Sequence, residues 1–123
     1  KFFRWRRNLV LDFVDLMSAA LERSDARYLV WLEDDAVLLP DWQEALRISA
    51  GGTCMVALHE CNCHSCSDVG GKYNGVGAVA VLFERHVLQH ILPLIRERYK
   101  KLPLDELLEQ ICNENAEQFG HAM

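Results

Sequence analysis

A short apolar segment that ends in three adjacent acids is the feature that most restricts how this chain can fold. The segment Tyr28–Leu32 reads YLVWL and has polar residues on both sides. A continuous apolar run of this length predicts a strand that is covered on both faces. Glu33, Asp34 and Asp35 follow it directly. The sequence therefore places a cluster of negative charge at the carboxyl end of a buried strand.

Helical and strand patterns alternate along the rest of the chain. Apolar residues recur at helical spacing from about Asn8 to Arg23, and again from Glu84 to Tyr99, where Pro93 is expected to kink or interrupt the helix. Two more strands and a last helix are predicted at Thr53 to Leu58, at Val76 to Phe83 and from near Pro103 onward. Helices that alternate with buried strands predict an α/β fold, in which a mainly parallel sheet is flanked by helices. Residues 1–123 are interpreted as a single domain.

Composition and charge exclude several classes of protein. Hydrophobic residues make up 50% of the chain and charged residues 25%, which is typical of a globular protein and not of a disordered one. The net charge of −5 argues against a nucleic-acid partner. No apolar run reaches the roughly 18 to 20 residues of a membrane span. The basic start KFFRWRR would oppose the dipole of a helix that begins there, so we expect the helix to begin upstream in a longer protein.

The three acids are expected to bind a divalent cation. Two carboxylates roughly 4 Å apart repel one another by about 1 kcal/mol in water, and by more at the edge of a protein. Carboxylate oxygens select Mg²⁺ or Mn²⁺, ions that commonly bridge a protein and a phosphate-bearing substrate. In an extended segment Glu33 and Asp35 face the same side and Asp34 the other, so at most two of them share one ligand. The alternative is an acidic strand end that opens a turn.

Two blocks of the sequence resemble one enzyme family. LEDDAVLLPDW, from Leu32 to Trp42, resembles the acidic metal motif of glycosyltransferases with the GT-A fold. Among these it is most similar to the N-glycan-branching N-acetylglucosaminyltransferases and to the related enzyme that adds a side-chain sugar to GPI anchors. The block from Gly75 to Ile111 is similar to a later block of the fourth-branch type. There, a glycine-rich strand ends in Leu-Phe and a Lys-Pro-hydrophobic-Asp segment opens a helix. The order and separation of the two blocks agree with the family.

The resemblance implies roles for individual residues. In the family, the last acid of the triplet coordinates Mn²⁺ (or Mg²⁺), which holds the diphosphate of a UDP-sugar, and this position is Asp35. Glu33 and Asp34 match positions that contact the nucleotide and support the metal site. Asp105 matches the aspartate that serves as base in the first-branch type; its alternative is an ordinary acid in the first turn of a helix. Glu106 stands where the family often has an aromatic residue, which puts the local acceptor contacts in doubt.

The function implied by the resemblance is metal-dependent sugar transfer. The donor would be a UDP-sugar, the sugar an N-acetylhexosamine, the acceptor a hydroxyl of a glycan or glycolipid, and the outcome inversion at the sugar carbon. The resemblance also implies a parent protein anchored as a type II membrane protein in the Golgi or ER lumen. Catalytic domains of the family are considerably longer than this chain. The segment is therefore expected to be the central and C-terminal part of a GT-A domain, and to be inactive alone.

A loop rich in cysteine and histidine, residues 59–66, keeps other functions open. Its sequence HECNCHSC contains His59, Cys61, Cys63, His64 and Cys66. One Cys-x2-Cys pair without a second pair at the usual distance is a weak zinc pattern. In an oxidising lumen these thiols are expected to form disulfides, with Cys54 or Cys112 as distant partners. One alternative function is therefore a non-enzymatic zinc-binding or interaction module that uses this loop. A separate alternative is a catalytically inactive glycosyltransferase relative.

Overall fold

The computed structural model of the chain describes residues 2–34, 40, 43–44, 54–58 and 80–120. The elements in these residues are α1 (Phe2–Arg23), β1 (Tyr28–Leu32), β2 (Val56–Ala57), β3 (Ala80–Glu84), α2 (Arg85–Glu97), α3 (Leu104–Glu114) and α4 (Ala116–Phe119). The predicted combination of helices and strands is confirmed.

The three described strands form one sheet in which β3 lies between β1 and β2. Both pairings are antiparallel, with Leu32 opposite Ala80 on one side of β3 and Val56 opposite Leu82 on the other. Because β1 and β2 both run against β3, they run in the same direction as each other. Their carboxyl ends therefore lie at the same edge of the sheet.

The described strands do not form the mainly parallel sheet that the sequence predicts. An apolar run indicates that a strand is buried, but its direction depends on the edge to which each connection returns. Here the chain leaves β3 at the edge where it enters β1, since the backbone N–H of Arg85 donates to the carbonyl oxygen of Arg27 at 2.7 Å. The parallel relation is found between the outer strands, β1 and β2.

The two faces of the sheet differ in how they are covered. Leu29 and Trp31 of β1 join Val81 and Phe83 of β3 in the main core, whereas Leu32 is 44% exposed. Successive side chains of a strand point to opposite faces, so β1 is well covered on one face. The prediction that the Tyr28–Leu32 strand is covered on both faces is wrong at Leu32. It applies better to β3, where Val81, Leu82 and Phe83 are all buried.

Helix α1 packs on the covered face of the sheet through Phe13. The ring centroid of Phe13 lies 5.0 Å from that of Trp31 and 6.0 Å from that of Phe83. The helix begins at Phe2, earlier than the predicted Asn8, and ends at Arg23 as predicted. Although α1 has 22 residues, neither it nor another helix among the described residues is long and apolar enough to cross a membrane.

Helices α1 and α2 lie antiparallel and are joined at both ends of their contact. The guanidinium of Arg85, at the start of α2, donates to the carbonyl oxygens of Leu21 and Ser24 near the end of α1, the second at 2.6 Å. Further along, Arg96 contacts Asp15 at 2.6 Å. The last carbonyl groups of a helix have no intrahelical partner and carry partial negative charge, so a cation at this point stabilises the end of α1.

The helical layer is completed by α2 and α3. Helix α2 is continuous from Arg85 to Glu97, so the expected interruption at Pro93 does not occur. Buried residues on both sides of the exposed proline hold the helix on the core: Val87, Leu88, Ile91, Leu92 and Ile95. Helix α3 begins directly after Pro103, as predicted, and its apolar face packs into the same core.

Candidate functional site

The predicted metal ligands begin where β1 ends. Glu33 follows Leu32 directly and is half-buried, and Asp34 is exposed in the turn that comes next. Asp35, the predicted metal ligand, lies outside the described residues. The structure therefore brings Glu33 and Asp34 together at the carboxyl end of a strand that is fixed by its pairing with β3.

Three segments of the chain meet at this edge of the sheet. Leu32 is paired with Ala80, and the backbone N–H of Leu58 donates to the carbonyl oxygen of Ala80 at 2.8 Å. Leu32 and Leu58 thus flank the same residue, roughly 10 Å apart at the usual strand spacing. Glu33 and Asp34 after β1, Leu58 after β2 and Ala80 at the start of β3 therefore share one edge. In α/β proteins, ligands bind at such strand ends.

The donor chemistry at the end of β1 fits Mg²⁺ or Mn²⁺. Glu33 and Asp34 supply hard carboxylate oxygens, and the exposure of Asp34 leaves it open to solvent. Among the described residues no three His, Cys, Asp or Glu side chains are grouped to hold a metal ion. Mg²⁺ commonly binds through one or two carboxylates together with substrate phosphates, and not in a cage made by protein alone. Glu33 and Asp34 suit a site of that type.

Asp105, the predicted base, lies in the first turn of α3 and is half-buried. This helix is linked to the sheet by a disulfide between Cys112 and Cys54. Cys54 lies at the amino end of β2, which is at the opposite edge of the sheet from Glu33 and Asp34. Asp105 precedes Cys112 by seven residues, which is roughly 10 Å along a helix. Asp105 can act as the base for a substrate bound at Glu33 and Asp34 only if α3 begins near the sheet edge that carries these two acids. The helix must then run from that edge towards the disulfide.

Acidic side chains gather around Asp105. Burial, followed by repulsion from Asp105 and then from Glu106, raises the pKa of the Glu109 carboxyl above its ordinary value. Glu106 and Glu109 also line a shallow, open depression of about 530 Å³, together with Leu102, Gln110, Asn113 and Glu114. The helical face next to the candidate base is therefore strongly negative, and the expected aromatic residue is absent from position 106.

The cysteine prediction requires a correction. Cys54 and Cys112 are bonded to each other, so neither is the distant partner of a thiol in the loop at residues 59–66. No local pattern in the sequence joins two cysteines that are 58 residues apart, whereas packing α3 against the start of β2 brings them together. The five cysteine and histidine residues of that loop lie outside the described residues: His59, Cys61, Cys63, His64 and Cys66.

Other polar contacts of the structure also have a signal in the sequence. Glu109 follows Asp105 by four residues, the spacing that places like charges on one helical face. His86 and His90 have the same spacing in α2, and Nδ1 of His86 lies 2.9 Å from a carboxylate oxygen of Glu84. The contacts of the Arg85 guanidinium with the carbonyl oxygens of Leu21, Ser24 and Ala26 had no comparable signal, because they depend on the return of the chain after β3.

Comparisons with known proteins complete the description of the site. No family model matches the chain, no curated protein matches it, and no solved structure matches it.

Proposed function

We propose that the chain is part of a metal-dependent glycosyltransferase that uses a nucleotide sugar. The observation that carries the proposal is the position of Glu33 and Asp34 at the carboxyl end of β1, at the edge shared with the end of β2. An acidic strand end in this position is suited to a divalent ion and the phosphates that the ion binds. The choice of family rests on the resemblance of the motif LEDDAVLLPDW to the acidic metal motif of glycosyltransferases with the GT-A fold.

The proposed reaction is displacement at the anomeric carbon of a UDP-sugar, with an N-acetylhexosamine transferred to a glycan or glycolipid hydroxyl. Asp35 binds Mn²⁺ or Mg²⁺, and Glu33 and Asp34 support the ion and the nucleotide. A bound metal neutralises charge on the leaving diphosphate. Asp105 accepts the proton of the acceptor hydroxyl. The hydroxyl oxygen forms its bond to the anomeric carbon opposite the bond to the diphosphate that breaks, so the configuration is inverted.

The finer fold assignment is part of the same proposal. We assign the sheet to a GT-A domain in which β3 is an antiparallel member. Sheets that are otherwise parallel often carry an antiparallel strand, so the antiparallel pairings of β3 are compatible with this assignment. The strands that bind uridine are then supplied by other parts of the domain, and the chain alone is inactive.

The proposed compartment is the lumen of the Golgi or ER, with the parent protein anchored in the membrane. The disulfide between Cys54 and Cys112 supports a compartment of this kind, because disulfides persist in oxidising environments and are rare in the cytosol.

The experiment is a Mn²⁺ titration of the full-length protein with and without UDP, in which electron paramagnetic resonance measures the free ion and a solution of Mn²⁺ and UDP without protein is the reference. We expect Mn²⁺ to bind, UDP to increase its affinity, and Asp35→Asn to abolish both effects. Asp12→Asn is the matched control, since it removes an exposed acid of α1 far along the chain from the triplet. Unchanged Mn²⁺ binding in Asp35→Asn would contradict the proposal.

The same preparations separate the proposal from its alternatives. Zinc binding that is lost in Cys63→Ser and untouched by Asp35→Asn would instead favour a module that uses the loop at residues 59–66. A donor screen on the full-length protein, with and without Mn²⁺, distinguishes an active enzyme from an inactive relative. Turnover that persists in the presence of a chelator would count against the metal-dependent mechanism.

A further inference from the structure

Two histidines stand one helical turn apart near the start of α2. His86 and His90 are both exposed, and residues four apart on a helix lie on the same face with Cβ atoms roughly 5–6 Å apart. Both rings also contact the same residue, Phe119 of α4, with ring centroids 5.7 Å and 5.1 Å from it. The two imidazoles therefore converge on one point of the surface.

One ring is oriented by a carboxylate. Nδ1 of His86 lies 2.9 Å from Oε2 of Glu84, and the Glu84 side chain is only 14% exposed whereas that of His86 is 65% exposed. Because Nδ1 faces this carboxylate, Nε2 is the ring nitrogen that a metal ion would use. Histidines that bind metal ions usually donate their other ring N–H to a carboxylate or carbonyl in this way, which fixes the tautomer and the direction of the ring.

Phe119 and Arg85 are two described residues close to the pair in space or along the chain. Phe119 is 9% exposed and belongs to the core, so it limits the rotation of both rings. The guanidinium of Arg85, the residue next to His86, donates to the end of α1. The nearest cation along the chain is therefore occupied elsewhere, and Glu84 contributes a negative charge beside the pair.

We propose that His86 and His90 form a site for a transition-metal ion that prefers imidazole, namely Cu²⁺, Ni²⁺ or Zn²⁺. Glu84 is a positioning residue that acts through His86. Among the described residues no third His, Cys, Asp or Glu completes the group. The site thus supplies two protein ligands and leaves the remaining positions to water or to another molecule, which makes the bound ion exchangeable. It is independent of the proposed glycosyltransferase site, whose carboxylates prefer Mg²⁺ or Mn²⁺.

The test is a titration of the ¹⁵N-labelled chain with Cu²⁺, read by paramagnetic broadening of backbone amide signals. The chain carries Cys61→Ser, Cys63→Ser and Cys66→Ser, so that free thiols of the loop do not compete. We expect signals around His86, His90 and Phe119 to broaden first. Calorimetry should give tighter binding of Cu²⁺ than of Ni²⁺ or Zn²⁺.

Single substitutions then assign the ligands. We expect His86→Gln or His90→Gln to abolish this broadening, and Glu84→Gln to weaken the affinity by about 10–100-fold. Glu97→Gln, an exposed change in the same helix, should leave Cu²⁺ binding unchanged, as should Asp35→Asn. Circular dichroism confirms that each variant folds. Broadening centred on residues 59–66, or broadening that survives in His86→Gln and His90→Gln, would overturn the proposal, as would the absence of Cu²⁺ binding. Each of these results leaves the Mn²⁺ experiment unaffected.

Discussion

Cys54 and Cys112 form a disulfide with Cα atoms 5.6 Å apart, although 58 residues separate them in the sequence. Both side chains are fully buried. The bond links the start of β2 to the later part of α3. It therefore fixes the position of the helix that carries Asp105 relative to the sheet.

Removal of this disulfide is expected to destabilise the fold strongly. Closing a loop of this length lowers the entropy of the unfolded chain, and Cys54→Ala with Cys112→Ala should reduce the free energy of unfolding by about 4 kcal/mol. Urea denaturation followed by circular dichroism measures the change. The matched control is Cys61→Ala with Cys63→Ala, which retains the Cys54–Cys112 bond. Equal stability of the two double variants would contradict the assigned pairing, as would a proteolytic digest in which these two cysteines are not linked.

Arg85 is expected to matter more for stability than the other surface arginines. Arg85→Ala removes the charged donor from the carbonyl oxygens of Leu21 and Ser24 and should cost about 2 kcal/mol. Arg96→Ala is the matched control, because the ion pair of Arg96 with Asp15 is largely exposed and should contribute about 0–1 kcal/mol. Urea denaturation of both variants measures the difference. A loss in Arg85→Ala no larger than that in Arg96→Ala would show that the contact with the end of α1 is not stabilising.

The features predicted correctly are those with a local signal. Apolar spacing located the covered face of α1, including Val10 and Phe13, and Pro103 marked the start of α3. Pro93 does not interrupt α2, because burial of the residues around it outweighs the loss of one backbone donor. The order and direction of the strands have no local signal, since they depend on contacts between residues far apart, such as Arg27 with Arg85.

The candidate site also combines features that a local sequence signal predicts with features that depend on distant contacts. Glu33 and Asp34 could be placed at a strand end from sequence, because the apolar run and the acids are contiguous. That Leu58, after β2, lies at the same edge could not be predicted, because it follows from the position of β3 between β1 and β2. The roles of Asp35 and Asp105 stay predictions.

Asp105 is expected to affect the chemical step and not metal binding. In the full-length protein, Asp105→Asn should lower kcat by about 10²–10⁴-fold, because a positioned base is lost, while the Kd for Mn²⁺ stays unchanged. Steady-state kinetics with a UDP-sugar donor and a Mn²⁺ titration measure the two effects separately. Glu106→Gln, the neighbouring acid, is the matched control and should retain most of kcat. An unchanged kcat in Asp105→Asn would assign Asp105 to the structure of the first helical turn.

Glu109 is expected to make the stability of the chain depend on pH. Its pKa is raised in the folded protein by burial and by repulsion from Asp105 and Glu106, so the folded state binds the proton more tightly than the unfolded state. Its stabilising contribution is therefore fully present below the ordinary carboxyl pKa of about 4.3, and is lost as the pH rises through the raised pKa.

Glu109→Gln removes this dependence and provides the measurement. At pH 7 the variant should have a higher Tm than the original chain, since a repelled, partly buried charge is replaced by a neutral side chain of similar shape. The difference should shrink as the pH falls through and below the ordinary carboxyl pKa of about 4.3, since Glu109 then becomes protonated in both states. Asp12→Asn, an exposed acid on α1, controls for the change in net charge. If Glu109→Gln gave the same Tm difference at every pH, the raised pKa would not be its cause, and the acidic face of α3 would not disfavour the charged form of Glu109.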